Sequence, residues 1–367
     1  MKNISSMPKI LYVDVNFGSS STGSLVKSLV ESIKLYSKET ICLYGRGRLA
    51  DPRLAVKIAS SSEVFAHAAL ARITGFNGIY SGLATNYAIH KLNEFKPDVV
   101  HLHELHGYYI DIFRFVRYVA RAGIPIVWTF HCEYMYTGKC GHAFDCVRFV
   151  DECGSCPQLK NYPKSLLLDK TADMLSMKKA LFDEFSKDKL VIACPSPWGV
   201  DRVKKSFLNK FRIEIVPNGI DTKTFTVHGP VNPGCSASPG KSRDYVLTVG
   251  SDIWSETKGG EAIVVIARAL PSIDFIIVGN NIRKPELPAN VILLPFVSER
   301  SQLASLYRGS LCYFLSSKRE TFSMPCAESL ACGKPIVGFE SGGPDTLFPK
   351  GYAEFYDCAD LEGPIRI

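Results

Sequence analysis

Two α/β lobes, each a doubly wound parallel sheet with helices on both faces, are predicted for this chain from its length, its composition and the spacing of its apolar runs. At 367 residues it exceeds what one core ordinarily serves and fits two domains. Its 46% hydrophobic and 22% charged residues, with 28 Gly and 21 Pro, exclude collagen-like, coiled-coil and wholly disordered chains. Short β-branched runs recur between helix-length segments, as the strands of a sheet buried on both faces do.

The first run, ILYVDV, starts at residue 10 and soon meets Asp14 and Asn16, so the N-terminus reads as a strand rather than a secretory signal. TICLYG, DVVHLH, PIVWTFH and VIACPS follow in the first half; RIEIVPN, YVLTVG, DFIIVG, VILLPF, CYFLSS and PIVGFE are assigned to the second. The break is placed near 196–212, giving a first domain over 1–200 with a Cys-rich insert at 132–162, and a second over 201–367. The stretch GPVNPGCSASPGKS at 229–242 reads as a loop. No window holds about 18 uninterrupted apolar residues, so no membrane-spanning helix is expected and the chain is placed in the cytoplasm. Open parallel sheets bind ligands beyond the carboxyl ends of their strands. The polar residues there include Asn16 to Ser24, His103 with Glu104, His131, Ser251 to Gly260, Ser316 to Glu320 and Ser341 to Gly343. If the two sheets face each other, these ends line one cleft.

The formal charge of +7 lies almost wholly before residue 196. It suits an anionic partner such as a membrane surface or a lipid phosphate, and equally a generic solubilising surface. No RNP, helix-turn-helix or zinc-finger spacing supports nucleic acid. The cysteines are scattered except for Cys140-x5-Cys146-x6-Cys153-x2-Cys156. In a cytosolic chain four thiolates so spaced suit a tetrahedral structural zinc, fixing an insert without its own core. The alternative is four reduced, partly buried cysteines. The basic, aromatic stretch SPWGVDRVKKSFLNKFR at 196–212 fits a membrane-surface helix, although a domain helix with a solvated basic face is favoured. GYYIDIFRFVRYVAR at 107–121 reads as a core helix, with Tyr108 and Tyr109 as acceptor contacts.

The most informative stretch is CYFLSSKRETFSMPCAESLACGKPIVGFE at 312–340. It parses as strand, loop, helix and strand: Ser323 caps, Pro325 suits an early helical position and Gly333 ends the helix. Glu320 then lies in the loop at the strand end and Glu328 one turn into the helix. The helix start favours a phosphate through its free N–H groups and dipole. Carboxylates on either side can accept hydrogen bonds from sugar hydroxyls. The plainer explanation is that Glu328 complements the dipole and Glu320 is solvated.

This segment resembles the E-x7-E signature of the large retaining glycosyltransferase family 4, of the GT-B fold. VPNGIDTKTF (216–225), KPDVVHLHELHG (96–107), IPIVWTFHC (124–132), SSSTGSLVKSL (19–29) and ESGGPDTL (340–347) are similar to that family's other motifs, so the resemblance runs from about residue 9 to 355. The Cys-rich insert is similar to that of the exopolysaccharide and O-antigen branch, including colanic acid-type enzymes. The resemblance implies two Rossmann-like domains facing a cleft. Glu320 then contacts donor-sugar hydroxyls and Glu328 the ribose, while Phe322, Ser323 and Met324 offer backbone amides to the phosphates. Lys258 neutralises the departing diphosphate, where negative charge builds. His131 faces the donor sugar from the first domain. Thr22 and Gly23, Gly250 and Ser251, and Gly342 and Gly343 fall in the loops nearest the donor.

The implied reaction is retaining transfer from a nucleoside diphosphate sugar to an oligosaccharide or lipid-linked acceptor in surface polysaccharide biosynthesis. It needs no catalytic cofactor and takes place in the cytoplasm, with peripheral contact at the inner membrane face. Two departures stand against the pattern. The Arg that many members carry near Gly250 or Lys258 is missing, leaving Lys318 or Arg319 as substitutes; and the chain stops soon after GYAEFYD (351–357), without the family's crossover helix. No Asp-x-Asp occurs, which argues against a metal-bridged diphosphate. The departures make a truncated, weakly active sugar-nucleotide-binding or assembly protein the alternative.

Overall fold

Every apolar run singled out in the sequence forms a strand in the computed structural model, which describes residues 8–36, 39–232, 244–280 and 286–366. The first unit holds β1 (Ile10–Asn16), β2 (Thr40–Arg46), β3 (Ala55–Lys57), β4 (Val99–Leu102), β5 (Ile126–Thr129), β6 (Leu190–Cys194) and β7 (Arg212–Ile215). They pair in parallel in the order β3-β2-β1-β4-β5-β6-β7. Between them run α1 (Ser21–Lys34), α2 (Ser61–Thr74), α3 (Gly82–Phe95), α4 (Ile112–Arg121), α5 (Thr171–Asp183) and α6 (Pro197–Lys204). Helices on both faces explain why Leu11, Val13, Leu43, Val100, Leu102, Trp128 and Ile192 are all fully buried.

The second unit holds β8 (Tyr245–Val249), β9 (Asp274–Val278), β10 (Val291–Leu294), β11 (Tyr313–Leu315), β12 (Ile336–Phe339) and β13 (Ala353–Tyr356), again all parallel, in the order β10-β9-β8-β11-β12-β13. Its helices are α7 (Gly260–Ala269), α8 (Arg300–Gly309), α9 (Met324–Ala331) and α10 (Gly343–Leu347). Two apolar clusters, one around Leu247, Ile276 and Tyr307 and one around Ile263, Ile277 and Phe314, pack in this unit.

Three particulars differ from the sequence reading. RIEIVPN, assigned to the second half, contributes β7 to the first sheet beside β6, and the two compact units divide between Pro217 and Asn218 rather than at residue 200. Strands β3 and β13 carry no continuous apolar run and were not anticipated. The 196–212 segment is not a surface-lying amphipathic helix: Phe207 and Phe211 pack on Phe182, and Arg202 is buried. Among the described residues no helix is long and apolar enough to cross a membrane.

The Cys-rich insert is also held otherwise than expected. Cys140, Cys146, Cys153 and Cys156 do line one cavity, and the Cys140 and Cys156 thiols hydrogen-bond. Yet among the described residues no three of these sulfurs lie within 4.8 Å of one another, so the four-thiolate zinc site is not assembled. A lysine lies near these thiols: burial pulls the Lys178 amine down to about 7, with Cys140, Cys153 and Cys132 opposing the shift. Lys178 Nζ sits beside Cys140 and Cys153, donates to Tyr134 O at 2.5 Å and Thr137 O at 2.8 Å, and lies 3.6 Å from the Tyr134 ring centre. Lys139 Nζ gathers three carbonyls, of Gln158, Leu159 and Asn161, at 2.8–3.0 Å.

Glu133, fully buried, completes the frame. It accepts from Arg202 Nε at 2.8 Å and Nη2 at 2.7 Å, from Ala143 N at 2.6 Å and from Tyr136 OH at 3.2 Å. Breaking a buried pair of this kind strands the remaining charge. Glu133→Ala is therefore expected to destabilise the protein by about 3–5 kcal/mol in urea unfolding, while Glu152→Ala, exposed on the same insert, serves as the control with little change.

Candidate active site

In each sheet the strand order reverses at one point, between β1 and β4 in the first unit and between β8 and β11 in the second. Loops at the carboxyl ends of those strands are where such folds hold ligands. In the second unit these loops carry Lys258 and Glu320, and the side chains form an ion pair. Both are partly shielded, 29% and 17% exposed.

The backbone around the pair is tied on three sides. Ser316 Oγ donates to Lys258 O at 2.7 Å and Lys318 N to Thr257 O at 2.8 Å, joining the loop after β8 to that after β11. Glu320 N donates to Ser341 O at 2.9 Å, and Gly343 N donates to Glu320 O at 2.9 Å. Asp345 Oδ1 accepts from Ser341 N at 2.9 Å and Gly342 N at 2.7 Å. The Gly342 and Gly343 amides are thus engaged within the protein, and this loop acts on the site by fixing Glu320. Gly343 has no substitute: a Cβ there falls 2.1 Å from Thr321 O. Gly250 N is likewise taken, by Val278 O at 3.0 Å, and Ser251 is exposed. Lys318 and Arg319, the substitute cations, lie near Cys358.

Helix α9 begins unusually. Ser323 occupies the N-cap position, as expected, but at φ 67° its side chain makes no capping bond. Among the described residues the amides of Phe322, Ser323 and Met324 have no acceptor. An open helix start of this kind attracts an anion. One turn in, buried Glu328 meets Arg300 Nη2 at 3.5 Å and accepts from Tyr307 OH at 3.3 Å. Arg300 in turn lies 4.9 Å from the ring centre of Phe225, the buried aromatic that ends VPNGIDTKTF. Burial pushes the Glu328 carboxyl up from 4.5 to about 7, outweighing Arg300 and Tyr307, which pull it down.

In the first unit the loop after β1 leads into α1. Thr22 is half-buried; the Gly23 amide is capped by Ser20 Oγ at 3.3 Å, and its Cα packs against Asn16. That amide is therefore not open to a phosphate. Beyond β4 and β5 lies a stack of imidazoles: His101 on His103, and His103 on His131, with His103 Nδ1 2.9 Å from His131 Nε2. Burial lowers the His131 pKa, and Glu104 opposes the shift. Glu104 N is anchored by Asp14 Oδ1 at 3.0 Å. Burial also opposes ionisation of Glu104 itself, but His106, His131 and the Cys132 thiol together bring its carboxyl down to about 2. Tyr109 is fully buried and donates to Glu104 O at 3.0 Å, and Tyr108 is 6% exposed, so neither presents itself to an acceptor.

Comparison with known proteins is consistent across both units. The family described as Glycosyltransferase Family 4 matches residues 60–224, and that described as Glycosyl transferases group 1 matches residues 254–356. The chain belongs to the glycosyltransferases. A protein of Escherichia coli (strain K12) named as a colanic acid biosynthesis glycosyl transferase, WcaC, is 26% identical over 251 residues, which cover 67% of this chain and 60% of that one. A D-inositol 3-phosphate glycosyltransferase of Xylanimonas cellulosilytica is 30% identical over 156 residues, 37% of either chain. The chain thus spans about 60% and 37% of the lengths of these relatives. Among solved structures, sucrose-phosphate synthase from Thermosynechococcus elongatus superposes with a TM-score of 0.67 at 13% identity, over 98% of this chain and 88% of that one. HepE of Anabaena in complex with UDP gives 0.60 at 15%, over 98% and 89%. These likenesses show the fold, GT-B.

Of the residues picked out in this sequence, the structure brings Lys258, Glu320 and the Gly342–Gly343 loop together. It places Phe322 and Ser323 just before the adjoining helix, Met324 and Glu328 on it, and His131 at a strand end of the other unit. Arg300, Tyr307 and Asp345 were missed. The first two sit on α8, where nothing in the local pattern sets an Arg and a Tyr seven apart from any other helix face.

The raised Glu328 value carries a definite sign. Its protonated form is favoured by the fold, so this contribution to stability is full below pH 4.5 and is lost as the pH rises to about 7. Urea unfolding of the unliganded protein between pH 4.5 and 7.5 should show stability declining more steeply for wild type than for Glu328→Gln. Equal slopes would show that Glu328 ionises normally.

Proposed function

We propose that this chain transfers a glycosyl group from a nucleoside diphosphate sugar to an oligosaccharide or lipid-linked glycan acceptor, with retention at the anomeric carbon, in surface polysaccharide assembly. The observation that carries the reading is the Lys258–Glu320 pair beside the uncapped start of α9. The diphosphate competes with Glu320 for the ammonium of Lys258 and receives the amides of Phe322, Ser323 and Met324. Glu320, released, accepts hydrogen bonds from the donor sugar. Glu328 accepts the ribose hydroxyls. As the glycosidic bond breaks, negative charge collects on the leaving diphosphate; a cation and amides placed beforehand lower the barrier without reorganising. The acceptor oxygen attacks on the same face, its proton passing to the leaving phosphate oxygen. The colanic acid relative supports the polysaccharide context, and the UDP complex of HepE supports a nucleotide at this fold.

Peripheral contact with the inner membrane face fits Leu166, Leu167 and Leu168, which are 60%, 69% and 49% exposed next to exposed Lys164. An exposed apolar run with a neighbouring cation suits an anionic lipid surface. Sedimentation with vesicles containing phosphatidylglycerol should retain wild type and lose Leu166→Ser/Leu167→Ser; equal retention would remove this surface from consideration.

The central test is a panel of nucleoside diphosphate sugars screened by thermal shift, followed by donor turnover with the stabilising ligand. One nucleotide class should raise Tm in proportion to the logarithm of its concentration. Lys258→Ala should lower kcat by about 10²–10³-fold, and Glu320→Gln should abolish turnover with the nucleotide still bound. Absence of any stabilising nucleotide, or full turnover by Lys258→Ala, would refute the assignment; binding without turnover in wild type would make the chain a sugar-nucleotide binder.

A further inference from the structure

Glu104, His106 and Cys132 each direct a potential ligand atom to one place: the three donor atoms lie within 4.8 Å of one another. The sequence reading assigned none of them to a metal. They come from the ends of neighbouring strands, Glu104 and His106 beyond β4 and Cys132 beyond β5. Two contacts converge on a single carboxylate oxygen, Glu104 Oε2: His106 Nδ1 at 2.5 Å and Cys132 Sγ at 3.3 Å. Glu104 is 7% exposed, so this is an internal cluster rather than a surface group of acids.

Two further observations point to a ligand. The three residues line one small cavity together with His103 and Tyr134. Both of those carry a buried polar atom without a partner, His103 Nε2 and Tyr134 OH. Buried polar atoms are seldom left unpaired, and an orphan in a cavity wall marks a place where a polar species belongs. Tyr134 also stacks on His106, with ring centres 5.2 Å apart and planes 18° apart, which fixes the imidazole that would ligate.

We propose that Glu104, His106 and Cys132 form a binding site for a borderline-soft divalent ion of the zinc class. One oxygen, one imidazole nitrogen and one thiolate suit such an ion and not magnesium or calcium, which demand oxygen ligands. Three protein ligands leave a fourth tetrahedral position for water. On binding, Sγ loses its proton to solvent and forms a metal–sulfur bond in place of the Cys132–Glu104 hydrogen bond. The ion ties the end of β4 to the end of β5. This site is separate from the four cysteines of the insert and does not depend on the proposed transfer reaction.

The test is elemental analysis of the full chain after incubation with zinc chloride and desalting, beside titration with cobalt(II). Wild type should retain about one zinc per chain and develop the thiolate-to-cobalt absorption band. Cys132→Ser and His106→Ala should lose both, while Cys140→Ser/Cys156→Ser should keep both. Glu104→Gln, nearly isosteric, should weaken zinc binding at least tenfold, and its metal-free Tm, set beside that of metal-free wild type, separates ligand loss from misfolding. No zinc on wild type, or zinc kept by Cys132→Ser and lost from Cys140→Ser/Cys156→Ser, would overturn the proposal.

Discussion

The ion pair between Lys258 and Glu320 is the contact around which the second unit organises its strand ends. A partly exposed pair of this type contributes on the order of 1 kcal/mol to stability, so its cost in ordering three loops is not repaid by folding. What the arrangement provides is a cation held beside a carboxylate at the point where the sheet's strand order reverses, with neither charge wholly solvated. An anion that reaches Lys258 there displaces a weak partner rather than a full hydration shell, and in doing so frees the carboxylate for hydroxyl groups. Under the proposed function, binding of a diphosphate and recognition of its sugar become one event.

The two helix starts that face the strand ends show how finely this depends on capping. In α1, Ser20 closes the first turn by accepting from the Gly23 amide, as an N-cap serine ordinarily does. In α9, Ser323 stands at the equivalent position; both serines have a positive φ, 63° and 67°, but at ψ 91° rather than 172° Ser323 makes no capping bond and leaves the neighbouring amides open. Residue type and the sign of φ are the same; ψ differs, and the capping bond is made at one and not at the other. The second helix thus offers its dipole and the amides of Phe322, Ser323 and Met324 to a phosphate.

How far the sequence disclosed this follows from the range of each signal. Buried parallel strands write themselves as continuous apolar runs, so the sheets were legible, apart from β3 with only three residues and β13 with alternating Glu354 and Tyr356. Lys258, Glu320 and Glu328 were legible because ordered motifs carry them. The uncapped state of Ser323 was not, since propensity names serine as a cap. Nor was the wiring of the insert: cysteine spacing is conspicuous, whereas Lys178 and Glu133, which hold the loop through carbonyls and an arginine 69 residues away from Glu133, leave no local pattern. Arg300 and Tyr307 escaped for the same reason, because their partner Glu328 is supplied by another helix.

Glu320 is held in place through its own peptide group, by Ser341 on one side and Gly343 on the other, and its side chain takes no part in that attachment. Any residue at this position inherits the same address. The loop is a socket whose wiring does not depend on the tip it carries, so a replacement here removes the carboxylate and leaves the architecture beneath as it is.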